Sequence, residues 1–198
     1  MINLESLWDK IHPYAQQYKK EYLSLLENIF IPLNPHIIIE LGTHAGGSFM
    51  GFCEASSKDA ILISIDRNHG GAPDKIKKFH RNALTITGDT QDKNNLMLVK
   101  NIIEDKKIDF LFIDANHTYD GVKKDFNLWS PLVRDNGIIS LHDVCYHLHN
   151  KDCEVEKFWN EIKNKLKWKF KEYHFEDNQT NRGIGVLQKN NYSDKFVF

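Results

Sequence analysis

The chain has 198 residues, the size of one ordinary domain, and a core of that size folds without disulfides or a structural metal. Its 26 basic and 27 acidic residues leave a formal net charge of −1 and 41% of the residues are hydrophobic, which describes a soluble globular protein and excludes the basic footprint of a nucleic-acid binder. Cys53, Cys145 and Cys153 form no CxxC pair, the opening MINLESLWDK lacks the basic-then-apolar order of a leader, and no apolar run approaches the roughly 20 residues that span a bilayer. The expectation is one domain over residues 1–198, in a reducing cytoplasm, with neither nucleic acid nor membrane as partner.

Leu4 to Phe30 reads as helix broken near Pro13, with Leu4, Trp8 and Ile11 on one stripe and Tyr18, Tyr22, Leu25 and Ile29 on the next, so residues 1–35 form a helical cap. After Pro35 come the short apolar runs HIIIEL, ILISID, ALTITGD, IDFLFID and GIISLHDV. Helical stretches separate them: Gly46 to Ala55, Pro73 to Asn82, Asp92 to Glu104 and Tyr119 to Val133. Nearly continuous apolar strands alternating with helices predict a parallel sheet covered on both faces. A helix around Glu154 to Leu166 follows, then KWKFKEYHF, the turn-rich DNQTNRG and GIGVLQK, which read as a closing hairpin. The fold class is therefore α/β: a Rossmann-like, doubly wound, mostly parallel seven-stranded sheet with an antiparallel C-terminal hairpin and an N-terminal helical cap.

The chemistry gathers at the ends of those strands. Glu40-Leu-Gly42-Thr-His-Ala-Gly46-Gly-Ser48 falls where the first strand turns into a helix; its glycines let a ligand approach the backbone, and the helix start offers free N–H groups. The spacing departs from the GxGxxG dinucleotide fingerprint, and a lone acidic residue at the strand end suits a cationic group such as a methionine amine. The competing reading is an ordinary strand-to-helix turn. Asp66 ends the second strand, where a carboxylate accepts from ribose hydroxyls, and Asp89, Thr90 and Gln91 end the third, within reach of the adenine end of a ligand. Thr90 equally suits the start of a helix whose first turn holds Asp92. Asp114 ends the fourth strand, within reach of cofactor and acceptor alike, and His142 and Asp143 end the fifth. Neighbouring strands lie about 4.8 Å apart, so these groups converge, and two carboxylates beside an imidazole call for a compensating divalent cation. The alternative is that Asp114 and Asp143 merely cap the helices that follow; His117 and Tyr119, just past Asp114, face either the substrate or solvent.

Taken together, ELGTHAGGS, the Asp66 strand end, GDTQD and FIDANHTYDGVKKDF with the following SLHDV resemble the class I S-adenosylmethionine (SAM)-dependent methyltransferases, in the family that contains the cephamycin-pathway enzyme once called cephalosporin hydroxylase. They are also similar to metal-dependent O-methyltransferases that act on antibiotic sugars. The resemblance covers about residues 36 to 145 and implies cofactor contacts at Glu40, Gly42, Ser48, Asp66 and Asp89, and metal ligands at Asp114, His142 and Asp143. Gly46, Thr90 and Asp114 complete the expected cofactor site. At the place of His142 many relatives carry a carboxylate or amide oxygen, which suits Mg²⁺; an imidazole there tolerates Mn²⁺, Fe²⁺ or Zn²⁺, or serves as a base.

The implied reaction is methyl transfer from SAM to an oxygen of a small molecule, with a Mg or Mn ion at Asp114 and Asp143 activating the hydroxyl and His117 or His142 taking its proton. Two rivals share the architecture: an NAD-dependent oxidoreductase, and a non-catalytic SAM-binding subunit of a larger assembly. Trp8, Tyr14, Tyr18 and Tyr22 offer aromatic surface for self-association, or simply cover the sheet.

Overall fold

A computed structural model describes residues 2–174 and 181–190. Helices α1 (Leu4–Ile11) and α2 (Lys19–Leu25), a π-helical turn over Leu26–Phe30 and the short α3 (Ile31–Leu33) precede the sheet. Then β1 (Ile37–Leu41), α4 (Gly47–Ala55), β2 (Ile61–Asp66), α5 (Pro73–Phe79), β3 (Ala83–Thr87), α6 (Lys93–Ile102), β4 (Ile108–Ile113), α7 (Tyr119–Trp129) and β5 (Val133–His142) alternate. Helix α8 (Val155–Lys165) leads into β6 (Lys169–Tyr173) and β7 (Ile184–Gln188).

The seven strands lie in the order β3-β2-β1-β4-β5-β7-β6, with β1 to β5 parallel and β7 antiparallel to both of its neighbours. From β1 the chain winds outward through β2 and β3, and from β4 it winds the other way. The carboxyl ends of β1 and β4 therefore flank the point where winding reverses, where open α/β sheets form a crevice. The hairpin inserts its second strand, β7, against β5 and leaves β6 at the edge. Of the turn-rich DNQTNRG, residues 177–180 lie outside the described residues.

Alternation along the central strands divides the core. Ile39, Leu111 and Leu141 pack with Phe126, Trp129, Phe158 and Trp159 on one face, whereas Ile38, Phe110 and Phe112 meet Phe30, Phe49 and Phe52 on the other. The N-terminal cap belongs to the second cluster through Leu7, Ile11, Tyr22 and Leu25.

Several boundaries differ from the sequence reading for local reasons. Helix α1 stops at Ile11, before Pro13, and α2 begins only at Lys19; the intervening turn carries Tyr14, Gln16 and Gln17 to the mouth of a cavity. Helix α7 ends at Trp129 because Pro131 holds the chain in a 3₁₀ turn over Ser130–Leu132. Strand β5 begins at Val133 rather than Gly137, accommodating an irregular start at Asn136 with φ +58°.

Candidate active site

The carboxyl ends of β1, β2, β4 and β5 open onto a cavity of about 780 Å³. Gly42 follows β1 with φ +85°, and a β-carbon there would collide with the carbonyl oxygen of Asp114, so the β1 and β4 ends approach closely only because this residue is glycine. Gly46, at φ +91°, starts α4 without a side-chain cap, leaving the helix start open beside the cavity.

Glu40 is fully buried and does not reach the cavity wall. Its Oε1 accepts the Ser48 hydroxyl at 2.6 Å, and it is Ser48 that lines the cavity. The other oxygen, Oε2, is buried without a hydrogen-bond partner. Burial, reinforced by Asp114 and Asp66, pushes the Glu40 carboxyl well above its ordinary value despite the Ser48 hydrogen bond.

Asp66 lines the cavity and also ties down the glycine turn. Its Oδ2 accepts the N–H groups of Thr43 and His44, each at 2.7 Å, and its Oδ1 accepts that of Asn68 at 2.8 Å. One acceptor direction on Oδ1 is left for a ligand hydroxyl. Asp89 lines the wall nearby, with the Gln91 N–H and the Arg67 guanidinium, 2.6 Å away, holding its carboxyl below the ordinary range. Thr90 also lines the cavity, with its hydroxyl donating to Asp125 at 2.7 Å, while Asp92 provides the cap of α6 by accepting from the Asn94 N–H.

On the other side of the cavity the carboxylates and imidazoles meet. Nε2 of His117 lies 3.2 Å from Asp114 Oδ1 and 2.9 Å from Asp143 Oδ2. Those two carboxylates raise the His117 pKa to about 10. Asp143, at φ +62°, turns its second oxygen toward His147 Nε2, 3.0 Å away. Burial opposes ionisation of Asp114 and Asp143, and the neighbouring imidazoles outweigh it, holding both carboxyls below their ordinary values. Asp114, His117 and Asp143 bring one donor atom each within 4.8 Å of one another. Asp114 caps no helix: Thr118 caps α7, accepting from the Gly121 N–H.

His142 sits deeper, only 3% exposed. Its Nδ1 is 3.2 Å from Asp114 Oδ1 and 3.5 Å from Asp143 Oδ2, and its Nε2 is 3.5 Å from Glu21 of α2. Burial disfavours its charged form, yet Asp143 and Asp114 raise its pKa well above the ordinary value, which describes an imidazolium held among carboxylates. The imidazole that reaches out to the convergence point is His117.

Glu21, Gln17, His147 and Arg182 are absent from the sequence-based site. Gln17 donates through Nε2 to Asp114 Oδ2 at 2.9 Å, and Glu21 accepts the N–H groups of Tyr18 and Gly183. One signal was present: Glu21 falls on the Tyr18, Tyr22, Leu25 stripe, and a carboxylate on a buried stripe requires a partner. Tyr14, Tyr18 and Tyr22 are engaged within the chain: Tyr14 lines the cavity, Tyr18 donates to Asn181, and the fully buried Tyr22 donates to the Ser48 carbonyl. Among the described residues no helix is long and apolar enough to cross a membrane.

Comparison with known proteins agrees with this geometry. An uncharacterized protein of Sinorhizobium fredii is 28% identical over 142 residues, 66% of this chain, and the chain spans 15% of that protein's length. The O-methyltransferase of Bacillus cereus, solved in complex with SAH, superposes with a TM-score of 0.66 at 15% identity, covering 94% of this chain and 90% of the other. The O-methyltransferase TomG of Streptomyces achromogenes, solved in complex with SAM, gives 0.67 at 14% identity, covering 94% and 89%. These likenesses establish the methyltransferase form of the Rossmann-like fold. The family model described as a methyltransferase domain matches residues 39–144, from the first buried strand through Asp143, and the chain therefore belongs to that methyltransferase family.

Proposed function

We propose that this chain is a SAM-dependent O-methyltransferase acting on a hydroxylated small molecule, with a divalent cation held by Asp114, His117 and Asp143. The observation that carries the reading is the two-sided cavity: an open helix start, Ser48, Asp66 and Asp89 on the side of β1 to β3, and a carboxylate–imidazole cluster at the carboxyl ends of β4 and β5. The first side fits the cofactor. The uncapped start of α4 suits an amino acid carboxylate, the Ser48 hydroxyl, whose proton is held by Glu40, keeps its lone pairs for an ammonium group, and Asp66 keeps one acceptor direction for a ribose hydroxyl. When bound, SAM supplies a methyl group on a cationic sulfur.

The second side fits a cation. The half-buried Asp114 and the buried Asp143 face each other across the His117 ring, and the proton they enforce on that ring stands where they demand positive charge. A divalent ion there would lower the pKa of an acceptor hydroxyl. The donor set of two oxygens and one imidazole nitrogen suits Mn²⁺ as well as Mg²⁺. His142 serves the site from below, its positive charge and Nδ1 fixing the Asp114 carboxylate while Gln17 fixes the other oxygen. Alignment of the acceptor oxygen and exclusion of water are then the chain's main contributions to rate.

Calorimetric titration with SAM, SAH and NAD, followed by transfer of labelled methyl to a panel of hydroxylated acceptors with Mg²⁺, Mn²⁺ or chelator, tests the reading. SAH is expected to bind and NAD to fail, and Asp114→Ala is expected to lower transfer at least roughly a hundredfold. A protein with no affinity for SAM or SAH refutes the assignment, and full transfer by Asp114→Ala in excess chelator removes the metal from it.

A further inference from the structure

Resting on that methyltransferase reading, we infer that the acceptor end of the cavity recognises a carboxylate carried by the methyl acceptor, and that Arg182 is the residue that receives it. The acceptor class is then a hydroxylated carboxylic acid.

The position of Arg182 comes from the topology. It lies two residues before β7, and β7 is separated from β1 by β4 and β5. Three strand spacings of about 4.8 Å place it roughly 14 Å along the sheet from the glycine turn. It lines the cavity together with His147, Gln16 and Asn181, beyond the Asp114–His117–Asp143 cluster as seen from β1. The other cavity arginine, Arg67, follows β2 and is paired with Asp89. The two arginines thus mark opposite ends of the cavity, one neutralised by a carboxylate of the chain.

Arg182 is held as a preformed recognition group. Its N–H donates to His147 Nε2 at 2.9 Å, and its carbonyl accepts the Cys145 N–H at 2.8 Å. The next N–H, that of Gly183, donates to the buried Glu21 at 3.1 Å. The arginine adopts φ +56°, a left-handed conformation that L residues rarely take. Its guanidinium stacks on the Tyr18 ring, 4.4 Å from the centroid, and the Tyr18 hydroxyl is anchored on Asn181 at 3.0 Å. Stacking fixes the plane of the fork and leaves its N–H edges for a ligand. Among the described residues no carboxylate lies within ion-pair distance of this guanidinium. A planar carboxylate matches the fork with two parallel hydrogen bonds. A carboxylate seated on this fork at the far end of the cavity also fixes which end of such an acceptor enters first.

The full chain saturated with SAH is titrated by calorimetry with matched probes, 3,4-dihydroxybenzoate against 3,4-dihydroxybenzamide and glucuronate against glucose, in wild type, Arg182→Gln and Arg182→Lys. In at least one pair the acid is expected to bind wild type roughly tenfold or more tighter than its neutral partner. Arg182→Gln should erase that preference and Arg182→Lys retain part of it, which separates loss of charge from damage to the fold. SAH affinity should stay within about twofold in both variants. Equal binding of acid and neutral partner by wild type, no binding of either acid, or a preference that survives Arg182→Gln overturns the inference. So does a large loss of SAH affinity in Arg182→Gln, which would assign the arginine to the carboxylate of the cofactor. Wild type that fails to bind SAH refutes the methyltransferase reading itself, before any acid is added.

Discussion

At Gly42 the absence of a side chain holds two strand ends together. Gly42→Ala would place a methyl group against the Asp114 carbonyl in a backbone conformation with φ +85°, and is expected to cost roughly 2–4 kcal/mol, read by denaturant unfolding. Asp125 of α7 makes a different prediction. It is fully buried, and burial raises its carboxyl pKa to about 6 despite the hydrogen bond from Thr90. An unfolded Asp ionises near 3.9, so between about pH 4 and 6 the native chain binds more protons than the unfolded one. Stability contributed by this group is present below that window, falls as pH rises through it and levels off above. Asp125→Asn keeps an oxygen for Thr90 and removes the charge; its stability should gain on wild type by up to about 3 kcal/mol as pH rises from 4 to 7. A constant difference between the two proteins across that range would contradict the assignment.

Among the elements, α7 carries the cavity-lining His117 imidazole at its threshold. Thr118 caps the helix by accepting from the Gly121 N–H, and His117 is the residue immediately before it. Thr118→Ala is expected to cost about 1 kcal/mol in thermal or chemical unfolding, with Thr118→Ser restoring most of it. The same change lowers methyl transfer if that cap also fixes the His117 ring. The cap formed by α1 and α2 acts at longer range, because its connecting turn places Gln17 on Asp114, and α2 sets Glu21 beside His142. These helices were legible as amphipathic segments from Leu7, Ile11, Tyr22 and Leu25. Their duty to the site was not, because hydrogen bonds such as Gln17 to Asp114 join residues 97 apart in sequence.

For the whole molecule, a ligand that occupies the cavity binds the native state alone and must raise its unfolding temperature. SAH at about a hundred times its Kd is expected to add about 2.7 kcal/mol, a shift of roughly 5–10 °C for a chain of this length, whereas NAD should leave the midpoint unchanged. Periodicity and strand-end chemistry alone determined the alternation of strands and helices, the antiparallel closing pair and the glycine turn after Glu40, because buried parallel strands must be continuously apolar and tight turns must be glycine. They also located Asp66, Asp89, Asp114 and Asp143 at strand ends that share one cavity. Tertiary structure decided what each of those residues touches. It put Ser48 in front of Glu40, spent the Thr90 hydroxyl on Asp125, buried His142 and brought His117 forward, and set Arg182 at the far end. Local sequence specifies which residues stand at a strand tip; which of them faces the ligand depends on partners supplied by distant elements, and those partners are set only when the chain packs.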